Sequence, residues 1–94
     1  MAKRTQPEDS AWSDYAGEIA TNLRRLRQEA GLSQEDVAYR SGLTRYTYQK
    51  YENGESKPGT PAKPTIRTLL AMSQALGVSL MDILPAKIPD LRLR

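Results

Sequence analysis

The 94-residue sequence contains no cysteine and no histidine. The absence of cysteine excludes disulfides and thiolate metal sites, and it is typical of a protein of the cytoplasm. Without histidine there is no imidazole for a hydrolytic triad, a zinc site or a proton shuttle. The sequence also lacks a Gly-rich phosphate-binding loop, and no motif places two carboxylates together as a catalytic acid and base. We therefore expect a protein that is not an enzyme and that uses no metal and no cofactor.

Long apolar runs are also missing. No stretch approaches the roughly 20 apolar residues that a membrane-spanning helix needs, and the polar first ten residues lack the apolar segment of a signal peptide. We expect no membrane association. The 14 basic and 11 acidic residues leave a net charge of +3, which suits a polyanionic partner but is common among other proteins. The length and the 38% of hydrophobic residues fit one small domain with a single core.

The sequence does contain a series of helix start and stop signals. Apolar residues at helical spacing predict a first helix over about residues 13–30. Four later helices are predicted to begin at Ser33, Thr44, Thr65 and Ser79 and to end at a glycine or a proline. An aspartate stands three residues after Ser33 and again after Ser79, which is the spacing of a capping box.

These signals divide the chain into a flexible N-terminal arm over residues 1–12, a helical domain over 13–85 and a C-terminal tail over 86–94. The prolines and the glycine of residues 55–64 predict an irregular loop between the third and fourth helices. We find no strand pattern in the core, and only a weak one in the alternating residues 88–94. Trp12 and Tyr15 are expected to pack the arm against the core, with a dimer contact as the alternative.

Residues 32–54 have the composition of two helices that cross at a steep angle. Ala38 supplies the small side chain that close packing requires, Gly42 makes the turn, and Leu43 anchors the turn in the core. In this geometry the second helix of the pair can enter the major groove of DNA, while the first braces against the backbone.

The same residues resemble the helix-turn-helix of the phage repressor and Cro family, also called the XRE family. The resemblance rests on Leu-Ser-Gln-Glu at 32–35, Gly-Leu-Thr at 42–44 and Tyr-Glu-Asn-Gly at 51–54. Residues 75–80 with Ile83 and Leu84 look like the family's closing helix pair, so the match covers about residues 17–84. Two features depart from the family: the longer loop at 55–64 and the three tyrosines of the third helix.

The resemblance implies an all-α, five-helix, phage-repressor-like domain that binds double-stranded DNA and regulates transcription, as a repressor. It implies a homodimer on a partly palindromic operator, with the third helix of each copy in the major groove. The fourth and fifth helices with residues 88–94 are the candidate dimer surface. Polymerase or a cognate toxin is a candidate protein partner. A phage-type repressor, a restriction–modification controller and an antitoxin all fit.

Two groups of side chains follow as candidate DNA contacts. The outward side of the third helix is expected to contact base edges; its residues are Arg45, Tyr46, Gln49 and Lys50. Arginine or lysine can donate hydrogen bonds to guanine, and glutamine can pair with adenine. Backbone phosphates are expected to meet side chains around the motif; these are Gln34, Thr44, Asn53, Lys57 and Lys63. Tyr48 and Tyr51 are expected in the core, and Glu52 is expected to pair with an arginine of the first helix.

Plainer alternatives accompany each assignment. The outward residues of the third helix can be an ordinary solvated face, Thr44 can be a helix cap alone, and the lysines of residues 55–64 can simply face solvent. For the whole protein, the alternative is a protein-interaction adaptor or an antitoxin-type partner-binding module on the same fold. That alternative predicts an acidic or apolar surface on the third helix.

Overall fold

The structure is a computed structural model that describes residues 7–92, with side-chain environments given from residue 10 onward. Within this range the chain forms five helices and two short strands. In chain order these are α1 (Pro7–Glu29), α2 (Gln34–Ser41), α3 (Arg45–Asn53), β1 (Glu55–Lys57), β2 (Thr60–Pro61), α4 (Ile66–Leu76) and α5 (Leu80–Ile83).

The predicted caps set the limits of the helices. Ser33 accepts a hydrogen bond from the Asp36 N–H at 3.0 Å, and the Asp36 carboxylate accepts one from the Ser33 N–H at 2.9 Å, so the capping box of α2 is confirmed. Thr44 and Thr65 cap α3 and α4 in the same way through their hydroxyls. Each of α2, α3 and α4 ends at a glycine in the left-handed conformation.

The first helix begins earlier than the sequence predicts. Residues 1–12 were expected to form a flexible arm, but α1 starts at Pro7, a position where proline is tolerated because the first N–H of a helix has no acceptor. Residues 1–6 of the expected arm lie outside the described residues. The extension brings the rings of Trp12 and Tyr15 against the core, with their centroids 5.8 Å apart, as their predicted packing requires.

Residues 55–64 contain a β-hairpin where an irregular loop was predicted. Strands β1 and β2 pair antiparallel with Glu55 opposite Pro61 and Lys57 opposite Thr60. Gly59 has a φ of 81° in the tight turn between them, and its N–H donates to the Glu55 carboxylate at 3.2 Å. The fold therefore has the five predicted helices but is not purely helical. In the described part of the tail, residues 88–92 form no strand.

All five helices contribute to one core. The side chains that are fully buried include one from each helix, in order Leu23, Val37, Tyr48, Met72 and Ile83. Helix α1 packs on α3 and α2 packs on α4. The short α5 is tied to the middle of α1, because the Asn22 amide donates to the backbone carbonyl of Ile83 at 2.9 Å.

Helix α4 turns Leu69, Met72 and Leu76 into the core, and Met72 is fully buried. Ile66 and Leu70 of the same helix are 65% and 42% exposed. Because apolar residues lie on both faces of this helix, periodicity alone does not determine which of them the neighbouring helices cover.

Two methionines provide a matched test of this packing. We expect Met72→Ala to lower the free energy of unfolding by about 2–5 kcal/mol, because it leaves a cavity in a close-packed core. Met81, which is 74% exposed on α5, should tolerate the same substitution within about 0.5 kcal/mol. Urea unfolding followed by circular dichroism measures both. Equal losses for the two variants would contradict the described core.

Candidate nucleic-acid interface

Helix α3 presents two different faces. Tyr48 and Glu52 point inward and are fully buried, and Tyr51 is half-buried against the core, which confirms the predicted core role of both tyrosines. Arg45 and Tyr46 are exposed, while Gln49 and Lys50 are partly exposed on the next turn. The helical period thus separates packing residues from the candidate base-reading residues.

A buried carboxylate holds α3 to α1 and α2. Glu52 is 1% exposed and forms an ion pair with Arg27 of α1, which confirms the predicted pairing with an arginine of the first helix. The Arg27 Nη2 atom lies 3.2 Å from Glu52 Oε1. The Gln34 side-chain amide donates to the same oxygen at 3.1 Å, and the Tyr48 hydroxyl donates to Oε2 at 2.6 Å.

The balance of burial and hydrogen bonding keeps this carboxylate charged. Burial by itself raises the pKa of Glu52, but the hydrogen bonds from Arg27, Tyr48 and Gln34 outweigh it and hold the pKa below the usual glutamate value. Burial, followed by the bond to Glu52, raises the pKa of the Tyr48 hydroxyl. The network is therefore a paired negative charge at neutral pH.

The outward face of α3 carries no carboxylate. Glu52 is the only acidic residue between Arg45 and Asn53, and it is turned into the core. On the outward face the Lys50 Nζ atom lies 4.6 Å from the centre of the Tyr46 ring, a cation–π pair that orders both side chains. The side chains that α3 turns outward are therefore cationic, amide and aromatic, with no carboxylate of α3 among them.

The β-hairpin stands beside this face. One open groove of about 280 Å³ lies between them. It is lined by Tyr46, Gln49, Lys50 and Asn53 of the α3 region and by Lys57 and Glu55 of β1, so one carboxylate shares the groove. The structure thus brings together three of the four candidate base-reading residues and two of the candidate phosphate contacts. This neighbourhood is not predictable from residues 55–64, because their prolines and glycine indicate an irregular loop and not a hairpin.

The remaining candidates lie elsewhere. Arg45 faces the side of α3 nearer α2, in a cleft shared with Tyr39 and Leu43. Lys63 lies in a second groove, on the β2 side of the hairpin. Thr44 caps α3 by accepting from the Thr47 N–H at 3.1 Å.

Gln34 also takes part in the buried network, because its side-chain amide donates a hydrogen bond to Glu52. This role was not predicted from the sequence. The spacing of the residues gave no signal for this contact, because Gln34 and Glu52 stand on different helices.

Two other kinds of feature are absent from residues 7–92. No three acidic side chains in that range gather to hold a metal ion. The helices described there are all too short or too polar to cross a bilayer.

Comparisons with known proteins agree with this geometry. Residues 18–83 match a family model described as a helix-turn-helix domain. An uncharacterised HTH-type transcriptional regulator of Sinorhizobium fredii is 38% identical over 65 residues, which make up 69% of this chain and 77% of that protein. A prophage-derived, uncharacterised HTH-type transcriptional regulator of Bacillus subtilis is 40% identical over 57 residues, covering 61% of this chain.

The chain spans about half the length of the Bacillus subtilis protein, since the match covers 47% of it. The crystal structure of a hypothetical transcription factor from Neisseria superposes on 95% of this chain and 86% of its own chain with a TM-score of 0.63. At 24% sequence identity, this likeness shows a shared fold.

The buried network predicts how stability depends on pH. A group whose pKa is lowered by folding stabilises the folded state above its unfolded pKa, about 4.3 for glutamate, and this contribution is lost as the pH falls through the folded pKa. Glu52→Gln should therefore lower the free energy of unfolding at pH 7 by up to about 3 kcal/mol, because it leaves Arg27 without its counter-charge. Between pH 5 and pH 2 the stability of this variant should also fall less than that of the wild type. The difference between the two falls should be about the stability that Glu52 contributes at pH 7.

Glu29 provides the control, because its carboxylate is 61% exposed and lies 3.5 Å from Arg25 on the surface of α1. Glu29→Gln should change stability by about 0.5 kcal/mol or less. Chemical unfolding at a series of pH values measures both variants. If Glu52→Gln kept the acid dependence of the wild type, Glu52 would not be the charged group described.

Proposed function

This chain belongs to the helix-turn-helix family of DNA-binding transcriptional regulators, and we propose that it is a sequence-specific repressor whose α3 enters the major groove of double-stranded DNA. The outward face of α3 is the observation that carries the proposal. Its side chains are cationic, amide and aromatic, and its only acid is buried and paired. An α-helix fits the major groove, and the side chains that α3 turns outward include no carboxylate that would repel the phosphates flanking that groove.

The proposed base-reading residues are those on the outward side of α3. Arg45 and Lys50 have the donors that guanine accepts, and Gln49 has the donor and acceptor that adenine requires. Tyr46 lies between them and holds Lys50 over its ring. The cation–π contact limits the positions of the Lys50 ammonium group, so that less freedom is lost on binding.

The proposed phosphate contacts surround this reading face. Asn53 and Lys57 lie on the groove between α3 and β1, where they flank the base-reading residues. Gln34 and Thr44 stand at the N-terminal ends of α2 and α3, where backbone N–H groups also favour an anion. Lys63 is exposed on the far side of the hairpin.

We further propose a homodimer that acts in the cytoplasm on a partly palindromic operator. A single α3 presents four base-reading side chains, which is too few for the affinity of a typical specific complex. Exposed apolar side chains on α4, α5 and the tail supply a surface that a second copy would cover; these are Ile66, Leu70, Met81, Ile88 and Leu91. Two recognition helices would then enter successive major grooves.

The exposed apolar side chains also favour a second candidate function. A partner-binding module, such as an antitoxin or an adaptor that has lost DNA binding, would use the same apolar surface for a different protein. The composition of α3 argues against a loss of DNA binding, because the outward face of this helix is neither acidic nor apolar. The two functions differ in whether the purified chain binds duplex DNA.

Selection of bound fragments from random duplex DNA tests the proposal. We expect enrichment of an inverted repeat whose half-sites are about 10 base pairs apart, centre to centre. Enrichment of a single half-site would contradict the homodimer and leave the DNA-binding function standing. Absence of any enrichment at low ionic strength would overturn the proposed function and favour the partner-binding module.

Arg45 tests base reading. Arg45→Ala should weaken binding to the selected site by about 1–3 kcal/mol and relax the preference for one base, because a bidentate contact to that base is lost. Arg92 is the matched control, since it is exposed and bound to Asp90 in the tail. Fluorescence anisotropy with the selected duplex and a random duplex measures both. An equal loss on the two duplexes would exclude base reading by Arg45.

Lys57 tests a phosphate contact. Lys57→Ala should weaken binding to all duplexes alike and reduce the slope of log affinity against log salt concentration by about 0.9, because one fewer counterion is released. Lys87→Ala removes an exposed lysine from the tail and should leave the slope unchanged. An unchanged slope for Lys57→Ala would remove that residue from the phosphate contacts.

A further inference from the structure

The β-hairpin forms a second groove with α3, on the β2 side. Two lysines, Lys50 and Lys63, and four hydroxyl-bearing residues line it; the latter are Thr47, Tyr51, Ser56 and Thr60. The groove is open and has a volume of about 280 Å³. No carboxylate belongs to its lining, whereas Glu55 belongs to the lining of the groove on the β1 side. Ammonium and hydroxyl groups without a competing acid are the groups that contact a phosphate.

The residue before Lys63 is held by hydrogen bonds of both its backbone N–H and its backbone carbonyl. Ala62 is buried, its N–H donates to the Gly54 carbonyl at 2.9 Å, and its own carbonyl accepts from the Trp12 indole N–H at 2.9 Å. The first bond joins β2 to the end of α3, and the second joins it to α1, 50 residues away in the chain. A connecting segment on a protein surface is ordinarily more mobile than this.

Gly54 completes this attachment. A Cβ at Gly54 would lie 3.4 Å from the backbone carbonyl oxygen of Ala16, so the base of the hairpin sits directly against α1. Trp12 belongs to α1 because the helix begins before residue 13, at Pro7. The early start of α1 and the position of the hairpin are therefore two aspects of one arrangement.

We propose that Trp12 is the positioning residue for the Lys63 phosphate contact: it holds the hairpin beside α3, so that the hairpin becomes a second DNA-contacting element that seats a backbone phosphate at Lys63. The proposal rests on the proposed function, because the ligand is the backbone of the duplex that α3 reads. Trp12 does not touch the DNA. It fixes the backbone next to Lys63, so that the ammonium group reaches the phosphate while α3 lies in the groove.

A double-mutant cycle tests both parts of the proposal. The variants are Lys63→Gln, Trp12→Phe and the double substitution, and the readout is the salt dependence of binding to the selected duplex and to a random duplex. Lys63→Gln should lower the slope of log affinity against log salt by about 0.9, which corresponds to a loss of about five- to tenfold at 0.1 M salt. Both duplexes should lose alike, because a phosphate contact carries no sequence information.

Trp12→Phe should lower the slope in the same direction, by no more than Lys63→Gln does, although Lys63 is still present, since phenylalanine keeps the packing but cannot donate to Ala62. The double variant should then bind no more weakly than Lys63→Gln alone. Additive losses would mean that Trp12 does not act through Lys63, and would overturn the positioning role.

Two controls separate the seat from general effects. Tyr15→Phe removes a different hydrogen bond of α1, the one to the Pro85 carbonyl at 3.2 Å, and Lys87→Gln removes a lysine that lies in neither groove. Both should keep the wild-type slope. Lys63 is exposed, so Lys63→Gln leaves the core intact and tests the seat even where Trp12→Phe lowers the melting temperature.

The remaining outcomes are distinct. A wild type that binds the selected duplex, together with an unchanged slope for Lys63→Gln, would overturn the phosphate seat and leave the proposed function standing. A wild type that binds no duplex at all would overturn the proposed function itself.

Discussion

The arrangement of the first three helices depends on the carboxylate of Glu52. A buried charge of this kind costs several kcal/mol in lost hydration, and that cost is offset only when its partners are in place. Arg27, Gln34 and Tyr48 supply those partners from α1, α2 and α3. A different angle between α2 and α3 would take the Gln34 amide away from Glu52, and a different position of α3 on α1 would separate Glu52 from Arg27. The network therefore favours one arrangement of the three helices. The same contacts turn the only acid of α3 away from the surface that we propose meets DNA.

A second constraint acts through the backbone. The hairpin is too short to fold by itself, and its position relative to α3 is set by the two hydrogen bonds of Ala62 and by the contact of Gly54 with α1. Trp12 is therefore more than a packing residue: its ring contacts the core and its N–H holds the returning strand. The N-terminal part of α1 therefore has a structural role, because it carries this hydrogen bond to the segment after β2.

The features that were predictable from the sequence are mainly those that depend on residues close together in the chain. The capping box of Ser33 and the left-handed Gly42 require only the local chain, and both were correctly expected. The hairpin was missed because its proline-rich segment becomes a strand pair only against α1 and α3. The pairing of Glu52 with an arginine was expected, whereas the share of Gln34 in that network joins residues on different helices and left no pattern in the sequence.

The two constraints suit the two kinds of DNA contact that we propose. Base readout needs side chains placed accurately in the groove, whereas a phosphate contact tolerates a larger error because it is mainly electrostatic. The buried ion pair of Glu52 with Arg27 and the buried side chain of Tyr48 hold helix α3 against the core. The hairpin rests on two hydrogen bonds at its base. A support of this strength suffices for the lysines, since they need to be near a phosphate rather than at one atom of a base.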